Sequence, residues 1–450
     1  MYFSDEPTIY LDITQMLGNR LRTGIQRVVR ELARVGPNVA AQFRRNCRLV
    51  HAFGDKFFRL RYEHIDDHKR HVLFRIAERR LGRRLLKQVY PLTSAPITPY
   101  SEDILLTLNA TWDHPGWVKA VADFHRVGFV ANILYDLTPS THPQFHTPQL
   151  STRFNEWLAD LEGTSDHWVG ISRHVARQLT QYLKRTNPHS GPSPTVSAFR
   201  LGCDFHPPSS SQGQRDARLE IRPTLTTFLA QRVSTLLVVG TIEPRKNHLC
   251  VFRACQDLWD HGWNGQLLVI GRQGWKSDEI VQGVRRMPKE RVLWLHDATD
   301  EELDFAYRHS RALVFPSWEE GFGLPIVEAL RQGTPVIASD HPVHHEVGRQ
   351  SCLYFPADSP QTLAALIREQ EQNQFQPARE IANRYEPITW TQSCRELIAD
   401  VILAASKKRK SATTRLRILA DSREAPLTPQ ATTTHRNQAD QRPQTKRSAA

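Results

Sequence analysis

The sequence predicts an α/β protein made of two doubly wound domains with parallel sheets. The chain has 450 residues, which is too long for one ordinary core. Short β-branched apolar runs alternate with amphipathic stretches, and a polar stretch near the middle separates two such series. In this fold class ligands bind beyond the carboxyl ends of the strands. We therefore expect the functional residues in loops that follow strands, facing a cleft between the domains.

The apolar runs predict the elements in chain order. Acidic and capping residues at the start of 299–310, and more weakly of 359–372, favour helices there. In the N-terminal half the predicted strands are 8–13, 103–108, 129–136 and 167–172, and the predicted helices are 24–36 and 172–185. In the C-terminal half the predicted strands are 234–240, 266–271, 291–296, 312–316, 335–339 and 352–356.

These elements predict the division of the chain. We expect a Rossmann-like domain at 1–205, a linker at 206–232 and a second domain at 233–385. A helix at 386–404 is expected to return to the first domain. The tail at 405–450 is rich in Lys, Arg, Thr and Gln with few large apolar residues, so we expect it to be disordered.

The net charge of +12 is unevenly distributed. Lys+Arg against Asp+Glu number 27 to 18 in residues 1–200, 21 to 26 in 201–400 and 11 to 3 in 401–450. Such a basic surface indicates an anionic partner or simply a solvated face. The tail has no aromatic residues among its cations, so we expect no specific nucleic-acid partner.

The cysteines and the N-terminus predict a cytoplasmic protein. The six cysteines form no Cys-x-x-Cys pair, which favours free, buried thiols in a reducing compartment. The chain begins without the basic and apolar regions of a secretory signal, and no apolar run reaches the ~18–20 residues that span a bilayer. Residues 68–88 carry eight Lys/Arg and one acidic residue around an apolar helical face. This segment is a candidate membrane-surface helix or an ordinary packed helix.

Two loops after predicted strands carry candidate binding groups. The stretch GTIEPRKNH (240–248) places Arg245 and Lys246 where a helix begins, which suits a phosphate or a solvated basic pair. The stretch WEEGFGLPIVEAL (318–330) surrounds a glycine-rich turn with carboxylates. Glu320 and Glu328 can accept hydrogen bonds from sugar hydroxyls, although Glu328 can equally complement the helix dipole.

The order and spacing of several motifs resemble the retaining glycosyltransferases of family 4, which have the GT-B fold. Besides the two loops, the similar stretches are LVIGRQGW (268–275), TDEELDFAYRHS (299–310), HHEVG (344–348), TGIQRVVREL (23–32) and LYDLTPSTHPQF (134–145). The resemblance covers nearly the whole chain to about 404 and is most specific in the C-terminal domain. It implies an enzyme, a hexosyltransferase, whose N-terminal domain lies on the acceptor side.

The resemblance assigns roles residue by residue. Arg245 and Lys246 match the cations that hold the donor diphosphate, and Glu328 matches the glutamate that binds the nucleotide ribose. Glu320 matches the glutamate that faces the donor sugar, and Glu319 is expected to be only a neighbour. The other donor-side matches are the turn Gly321, Phe322, Gly323 and Leu324, then Gly24 near the diphosphate and Arg272 near the base.

One departure from the family lies on the acceptor side. Many members have His-Asp where this chain has Tyr135 and Asp136, so a role for an imidazole there is in doubt. His142 is a candidate replacement, or a solvated loop residue. The resemblance further implies retention of configuration without a metal or cofactor, with no defensible covalent nucleophile in the chain.

The expected reaction transfers a hexose from a nucleotide sugar to a saccharide acceptor. The favoured donor is GDP-mannose, which supplies mannose. A lipid-linked acceptor in exopolysaccharide or lipopolysaccharide synthesis fits, at the cytoplasmic face of the inner membrane. The alternatives are an inactive nucleotide-sugar-binding protein and a dinucleotide-dependent oxidoreductase. The oxidoreductase predicts G-x-G-x-x-G after a first strand, and neither half contains it there.

Overall fold

The computed structural model describes residues 6–16, 24–60, 96–108, 111, 114, 116–186, 193–204, 221–231 and 233–423. For residue 412 and residues 414–423 only the backbone is described. Residues 1–405 form one compact unit that contains two sheets, and residues 406–450 form a second unit. The candidate membrane-surface helix at 68–88 lies outside the described residues.

The first sheet has seven strands in the order β3-β2-β1-β4-β5-β6-β7. All neighbours are parallel except β2 and β3, which pair antiparallel at one edge. The sequence analysis missed β2, β3 and β7. The strands are β1 Thr8–Asp12, β2 Asn46–Phe53, β3 Lys56–Arg59, β4 Ile104–Thr107, β5 Phe129–Leu134, β6 His167–Gly170 and β7 Thr195–Ala198.

The second sheet has six parallel strands in the order β10-β9-β8-β11-β12-β13. This is the doubly wound order of dinucleotide-binding folds, built by right-handed strand–helix–strand units. Every strand here was predicted from its apolar run. The strands are β8 Thr235–Val239, β9 Gln266–Ile270, β10 Val292–Leu295, β11 Ala312–Phe315, β12 Val336–Ser339 and β13 Leu353–Phe355.

The longer helices of the first half each bury an apolar face in the core. The predicted helix at 24–36 continues through Pro37, because Val39 and Ala40 also reach the core. Its bounds and those of the other helices in this half are α1 Gly24–Gln42, α2 Trp117–His125, α3 Thr138–Thr141, α4 Pro148–Glu162 and α5 Arg173–Thr186.

The helices of the second half follow the strands of its sheet. Thr299 and Glu302 form the predicted capping box at the start of one of them. The helices are α6 Pro223–Leu229, α7 His248–Asp260, α8 Asp278–Arg286, α9 Asp300–His309, α10 Leu324–Arg331, α11 Pro342–Gly348, α12 Pro360–Gln372, α13 Gln376–Ala382 and α14 Trp390–Arg423.

Two predicted irregular segments contain helix. The predicted linker at 206–232 includes α6, because Leu225 and Phe228 are buried and give this short stretch a core to pack on. The predicted disordered tail begins too early, since α14 extends to Arg423. The stretch 406–423 lacks Gly and Pro and is rich in Lys and Arg, which propagate a helix once it has started.

The first turns of α14 contact the end of the first sheet. The backbone N–H of Trp390 donates to Asp204 at 2.6 Å, and the Ser393 hydroxyl donates to the Arg200 carbonyl at 2.5 Å. Two turns further, Asp400 accepts from His167 at 2.9 Å. A chain that has completed the second sheet is thus joined to the first half again.

All six cysteines are free and buried, and burial raises the pKa of each thiol. Such thiols are poor nucleophiles at neutral pH. Within the described ranges, no helix combines the length and the apolar character needed to cross a bilayer.

Candidate functional site

The second sheet changes its winding direction between β8 and β11, which lie side by side. A crevice opens beyond the carboxyl ends of two strands at such a switch point. The loop after β8 carries Arg245 and Lys246, and the loop after β11 carries Glu319 and Glu320. The two loops singled out from the sequence therefore meet at one place.

A tight turn fixes the two cations. Pro244–Lys246 forms one turn of 3-10 helix, and Asn247 follows in the left-handed region with φ 54°. The Asn247 amide donates to the carbonyl oxygens of Pro316, at 3.1 Å, and Ala357, at 2.8 Å. Asparagine tolerates this backbone conformation, and its two hydrogen bonds tie the cationic turn to the segments that follow β11 and β13.

Both cations bind Glu320. The Lys246 Nζ lies 2.5 Å from Glu320 Oε1, and the Arg245 Nη1 lies 2.8 Å from Oε2. Arg245 also donates to Glu243 Oε1, through Nε at 3.0 Å and Nη2 at 2.7 Å. Two buried carboxylates thus compensate two cations, and an incoming anion has to compete with Glu320 for them.

This arrangement keeps Glu320 ionised. Burial alone raises the pKa of Glu320, but the charges of Arg245 and Lys246 outweigh burial and hold it well below its usual value. Burial also disfavours the charged form of Arg245 and so lowers its pKa, but the charges of Glu320 and Glu243 more than reverse this effect. At neutral pH, Glu320 can therefore accept hydrogen bonds and stabilise positive charge, but it has no proton to donate.

The glycine turn lets the two halves of the chain approach each other. A Cβ added at Gly321 would lie 1.8 Å from the carbonyl oxygen of Tyr135, so only glycine fits this approach. Gly323 has φ 100°, a conformation that L side chains rarely adopt, and α10 begins at the next residue. The turn is therefore shaped by a steric contact and by a backbone requirement.

Glu328 is buried in α10 and already has two partners. Tyr307 donates its hydroxyl to Oε2 at 2.7 Å, and the Arg27 guanidinium bonds to Oε1. Arg27 belongs to α1 and also bonds to Asp300 at 2.7 Å. A ligand hydroxyl that binds Glu328 would compete with Arg27 for this carboxylate. The sequence analysis did not single out Arg27, because its partners are about 270 to 300 residues away along the chain.

The remaining donor-side candidates surround this cluster. The N-terminal residue of α1, Gly24, lies against Leu324, whose side chain would be 3.3 Å from an added Cβ. Phe322 is buried in the core. Arg272 follows β9, and its carbonyl oxygen accepts from the Ile242 backbone N–H at 2.8 Å, beside the cationic turn.

The acceptor-side candidates are placed differently from one another. The Tyr135 hydroxyl donates to the Leu108 carbonyl at 2.7 Å inside the core, so the phenol does not face the loop of Glu320. Asp136 accepts from the Thr138 backbone N–H at 3.1 Å and from its hydroxyl at 2.8 Å. His142 is half-buried and bonds to the neighbouring Thr141 at 3.0 Å.

A second histidine in this part of the chain, His146, is buried more deeply than His142. His146 is buried, with its ring 5.7 Å from the ring of Trp275 and its Nε2 3.0 Å from the Thr138 hydroxyl. Because that hydroxyl donates to Asp136, its oxygen accepts from Nε2–H, which leaves Nδ1 as an acceptor without a partner among the described residues. Burial lowers the pKa of His146 to about 4, so the ring is neutral.

Glu319, expected to be only a neighbour of Glu320, has several partners of its own. Its Oε1 accepts from His174 Nε2 at 2.9 Å and from Gln178 Nε2 at 3.1 Å, and its Oε2 accepts from His341 Nε2 at 2.9 Å. These residues are scattered in sequence, so no local motif marked them.

Comparisons with known proteins find similarity to glycosyltransferases. Residues 228–386 match the family described as "Glycosyl transferases group 1". Three serotype-specific mannosyltransferases, WbdA, from Escherichia coli are each 30% identical over 321 residues, or 70% of this chain. The O-antigen chain mannosyltransferase RfbU of Salmonella typhimurium is 34% identical over 142 residues, which is 32% of this chain and 40% of that protein.

The chain spans 39% of the length of the first WbdA relative. Among solved structures, sucrose-phosphate synthase from Thermosynechococcus elongatus superposes with a TM-score of 0.52 at 17% identity, covering 92% of this chain and all of that one. At this identity the likeness shows a shared fold, and the predicted GT-B architecture of two Rossmann-like halves is confirmed.

Proposed function

We propose that this chain, whose C-terminal half is a glycosyl transferase group 1 domain, transfers a hexose from a nucleotide sugar to a saccharide acceptor with retention of configuration. One observation carries the proposal: Arg245, Lys246 and Glu320 form a buried, charge-compensated cluster at the switch point of the second sheet. Such a cluster suits a ligand that combines a diphosphate with a hydroxyl-rich ring.

The donor's two ends fit the two carboxylates. The nucleotide ribose takes the place of Arg27 at Glu328, where Tyr307 already donates a hydroxyl. The diphosphate then binds Arg245 and Lys246, and the carboxylate oxygens of Glu320 accept hydrogen bonds from the sugar hydroxyls. Gly24 and the turn from Gly321 to Leu324 line the diphosphate and sugar, while Arg272 borders the base.

The chemical step breaks the bond between the anomeric carbon and the diphosphate oxygen, and the acceptor oxygen bonds to that carbon on the same face. The acceptor's proton passes to the departing phosphate oxygen, so charges and atoms balance without a covalent enzyme intermediate. Arg245 and Lys246 stabilise the charge on the leaving group, and Glu320 stabilises positive charge on the sugar. No metal or cofactor is part of the proposal.

On the acceptor side we assign His146 rather than His142. The neutral ring presents Nδ1 as a hydrogen-bond acceptor, and its tautomer is set through Thr138 and Asp136. Burial lowers the pKa of the His146 ring; the charge of Asp136 opposes this shift and the charge of Arg245 adds to it. These interactions support a role for the ring in the proposed site. His146 would orient a sugar or acceptor hydroxyl through Nδ1.

The names of the relatives favour mannose. WbdA and RfbU are both named mannosyltransferases, RfbU one of an O-antigen chain. We therefore propose GDP-mannose as the donor and a growing, lipid-linked surface polysaccharide as the acceptor. The basic segment at 68–88 would then bring the chain to anionic lipid at the cytoplasmic face of the inner membrane. Liposome flotation checks this last step, and failure to float with anionic vesicles counts against it.

The experiment is a transfer assay with purified protein. A panel of nucleotide sugars is first screened for thermal stabilisation, and the best donor is then assayed with mannosyl acceptors. We expect His146→Gln to lower transfer more than His142→Gln, because only His146 is buried beside the cluster. Donor binding without transfer to any acceptor would favour the inactive binding protein, and binding of no nucleotide sugar would overturn the proposal.

A further inference from the structure

Glu319 joins three separate parts of the molecule. His174 and Gln178 lie on α5, which belongs to the first half, and His341 follows β12 of the second sheet. All three donate side-chain N–H groups to one carboxylate that is 5% exposed. A buried carboxylate with this many donors is held in one geometry, because moving it would leave its charge unsolvated.

The donors also stabilise the charged form of Glu319. Burial raises the pKa of Glu319, and the hydrogen bonds donated by His174 and His341 outweigh burial and bring the pKa well below its usual value. The two imidazole rings are packed edge to face, with centroids 5.0 Å apart. The cluster is therefore compact, and each ring limits the movement of the other.

The ligand atoms of His174, Glu319 and His341 all lie within 4.8 Å of one another, which also suits a divalent metal ion. The hydrogen bonding of His341 favours a hydrogen on Nε2 over a bound metal ion. Its Nδ1 accepts from the Val343 backbone N–H at 3.3 Å and caps α11. Nδ1 is then unprotonated, so in the neutral ring Nε2 carries the hydrogen and cannot ligate a metal.

The backbone beside Glu319 is held from both halves as well. The Glu319 carbonyl accepts from Arg245 Nη1 at 2.6 Å, and the Gly321 carbonyl accepts from the Ser172 hydroxyl at 2.6 Å. The start of α5 is fixed in turn, because the backbone N–H groups of Arg173 and His174 donate to Glu346 at 2.7 and 3.0 Å. Glu320 lies between the two anchored carbonyls.

We propose that Glu319, clamped by His174 and His341, is a positioning residue that sets the loop of Glu320 for sugar transfer. The inference rests on the proposed function and adds a role for the cluster of Glu319, His174 and His341, called the histidine clamp below. Glu319 touches no substrate in this account. It transmits the contact between the two halves to Glu320 and Arg245, which do.

The test compares Glu319→Gln and His341→Asn with an exposed control on α12, Glu369→Gln. Glutamine turns an N–H toward one imidazole N–H, and asparagine keeps the helix cap but is too short to reach Glu319. We expect kcat to fall about tenfold or more in both clamp variants with the donor KM within about twofold, because a misplaced catalytic group weakens the transition state more than the ground state. The control should match the wild type.

Three outcomes overturn the inference. The first is an unchanged kcat per folded molecule with a lower melting temperature, which indicates a structural role. The second is zinc-dependent activity that chelation removes and Glu319→Gln abolishes, which indicates a metal site. If the wild type transfers no sugar at all, the proposed function fails, but the histidine clamp can still be tested by backbone hydrogen exchange. Residues 318–324 should exchange faster in Glu319→Gln than in the wild type. Equal exchange rates are the third outcome and overturn the clamp.

Discussion

The candidate site depends on the charges of a few individual side chains. Glu320 serves as the counter-ion of Arg245 and Lys246 when no donor is bound, so it occupies the cations that a diphosphate would bind. The sequence made these three residues visible because each stands in a recognisable loop. It could not reveal His146, Glu319 or Arg27, whose significance comes from packing between distant segments.

Glu320→Gln should therefore have opposite effects on binding and on turnover. Loss of the carboxylate leaves two cations uncompensated, so the nucleoside diphosphate product should bind more tightly. The same loss removes a charge that stabilises the transition state, so kcat should fall by about 10²–10³-fold. Calorimetric titration with the nucleoside diphosphate and steady-state kinetics check the two effects. Weaker diphosphate binding by a folded variant would show that Glu320 does not compete for these cations.

At the scale of elements, loops after parallel strands bring the site together. The period of the apolar runs and the capping residues predicted all six strands of the second sheet and the capped helix α9. The apolar pattern is weaker in the first half, and three of its strands were not predicted. Of these, β3 pairs antiparallel and β7 is only partly buried. The contact between α1, α9 and α10 through Arg27 could not be predicted, because side-chain partners across helices leave no periodic signal.

The contact between Arg27 and Glu328 predicts competition with the nucleotide. Arg27→Gln frees the buried carboxylate, so a nucleoside without phosphates should bind about five- to thirtyfold more tightly, since one charge-assisted hydrogen bond is worth roughly 1–2 kcal/mol. The melting temperature should fall, because Glu328 loses its cation. Arg30→Gln, the same charge change one turn along α1, is the control. Weaker nucleoside binding in Arg27→Gln would mean that Arg27 contacts the nucleotide directly.

At the scale of the whole molecule, the two doubly wound halves that the strand–helix alternation predicted lie in one compact unit. The composition alone suggested disorder from 405 onward, whereas the backbone is helical to Arg423. Composition reports how little apolar surface a segment can bury. It does not report whether a preceding helix, already formed, extends into that segment.

The free energy of unfolding should decrease as the pH is lowered, because buried neutral histidines must take up protons when the chain unfolds. His248 at the start of α7 is the clearest case. Burial, with the charge of Lys246, lowers the pKa of His248 to about 3, against ~6.5 in an unfolded chain. A depressed folded-state pKa gives stability that is present above pH ~6.5 and is lost as the pH falls toward 3. Between pH 7 and pH 5 this one group should cost about 2 kcal/mol of unfolding free energy.

Urea denaturation at pH 7 and pH 5 measures this loss. His248→Leu should reduce the difference between the two pH values by about 2 kcal/mol, because the unfolded chain has one proton fewer to bind. The exposed His261, replaced by Gln, is the control and should leave the difference unchanged. An unchanged difference in His248→Leu would mean that His248 is not held neutral by burial.

The central claim is that Arg245, Lys246 and Glu320 transfer a hexose with retention of configuration. The most direct measurement follows the anomeric signals by NMR when purified protein is mixed with GDP-mannose and a mannosyl acceptor. We predict a new glycoside with the donor's own anomeric configuration, formed by the wild type and lost in Lys246→Met, which keeps the length of the side chain without its charge. An inverted product, or full transfer by folded Lys246→Met, would contradict the account.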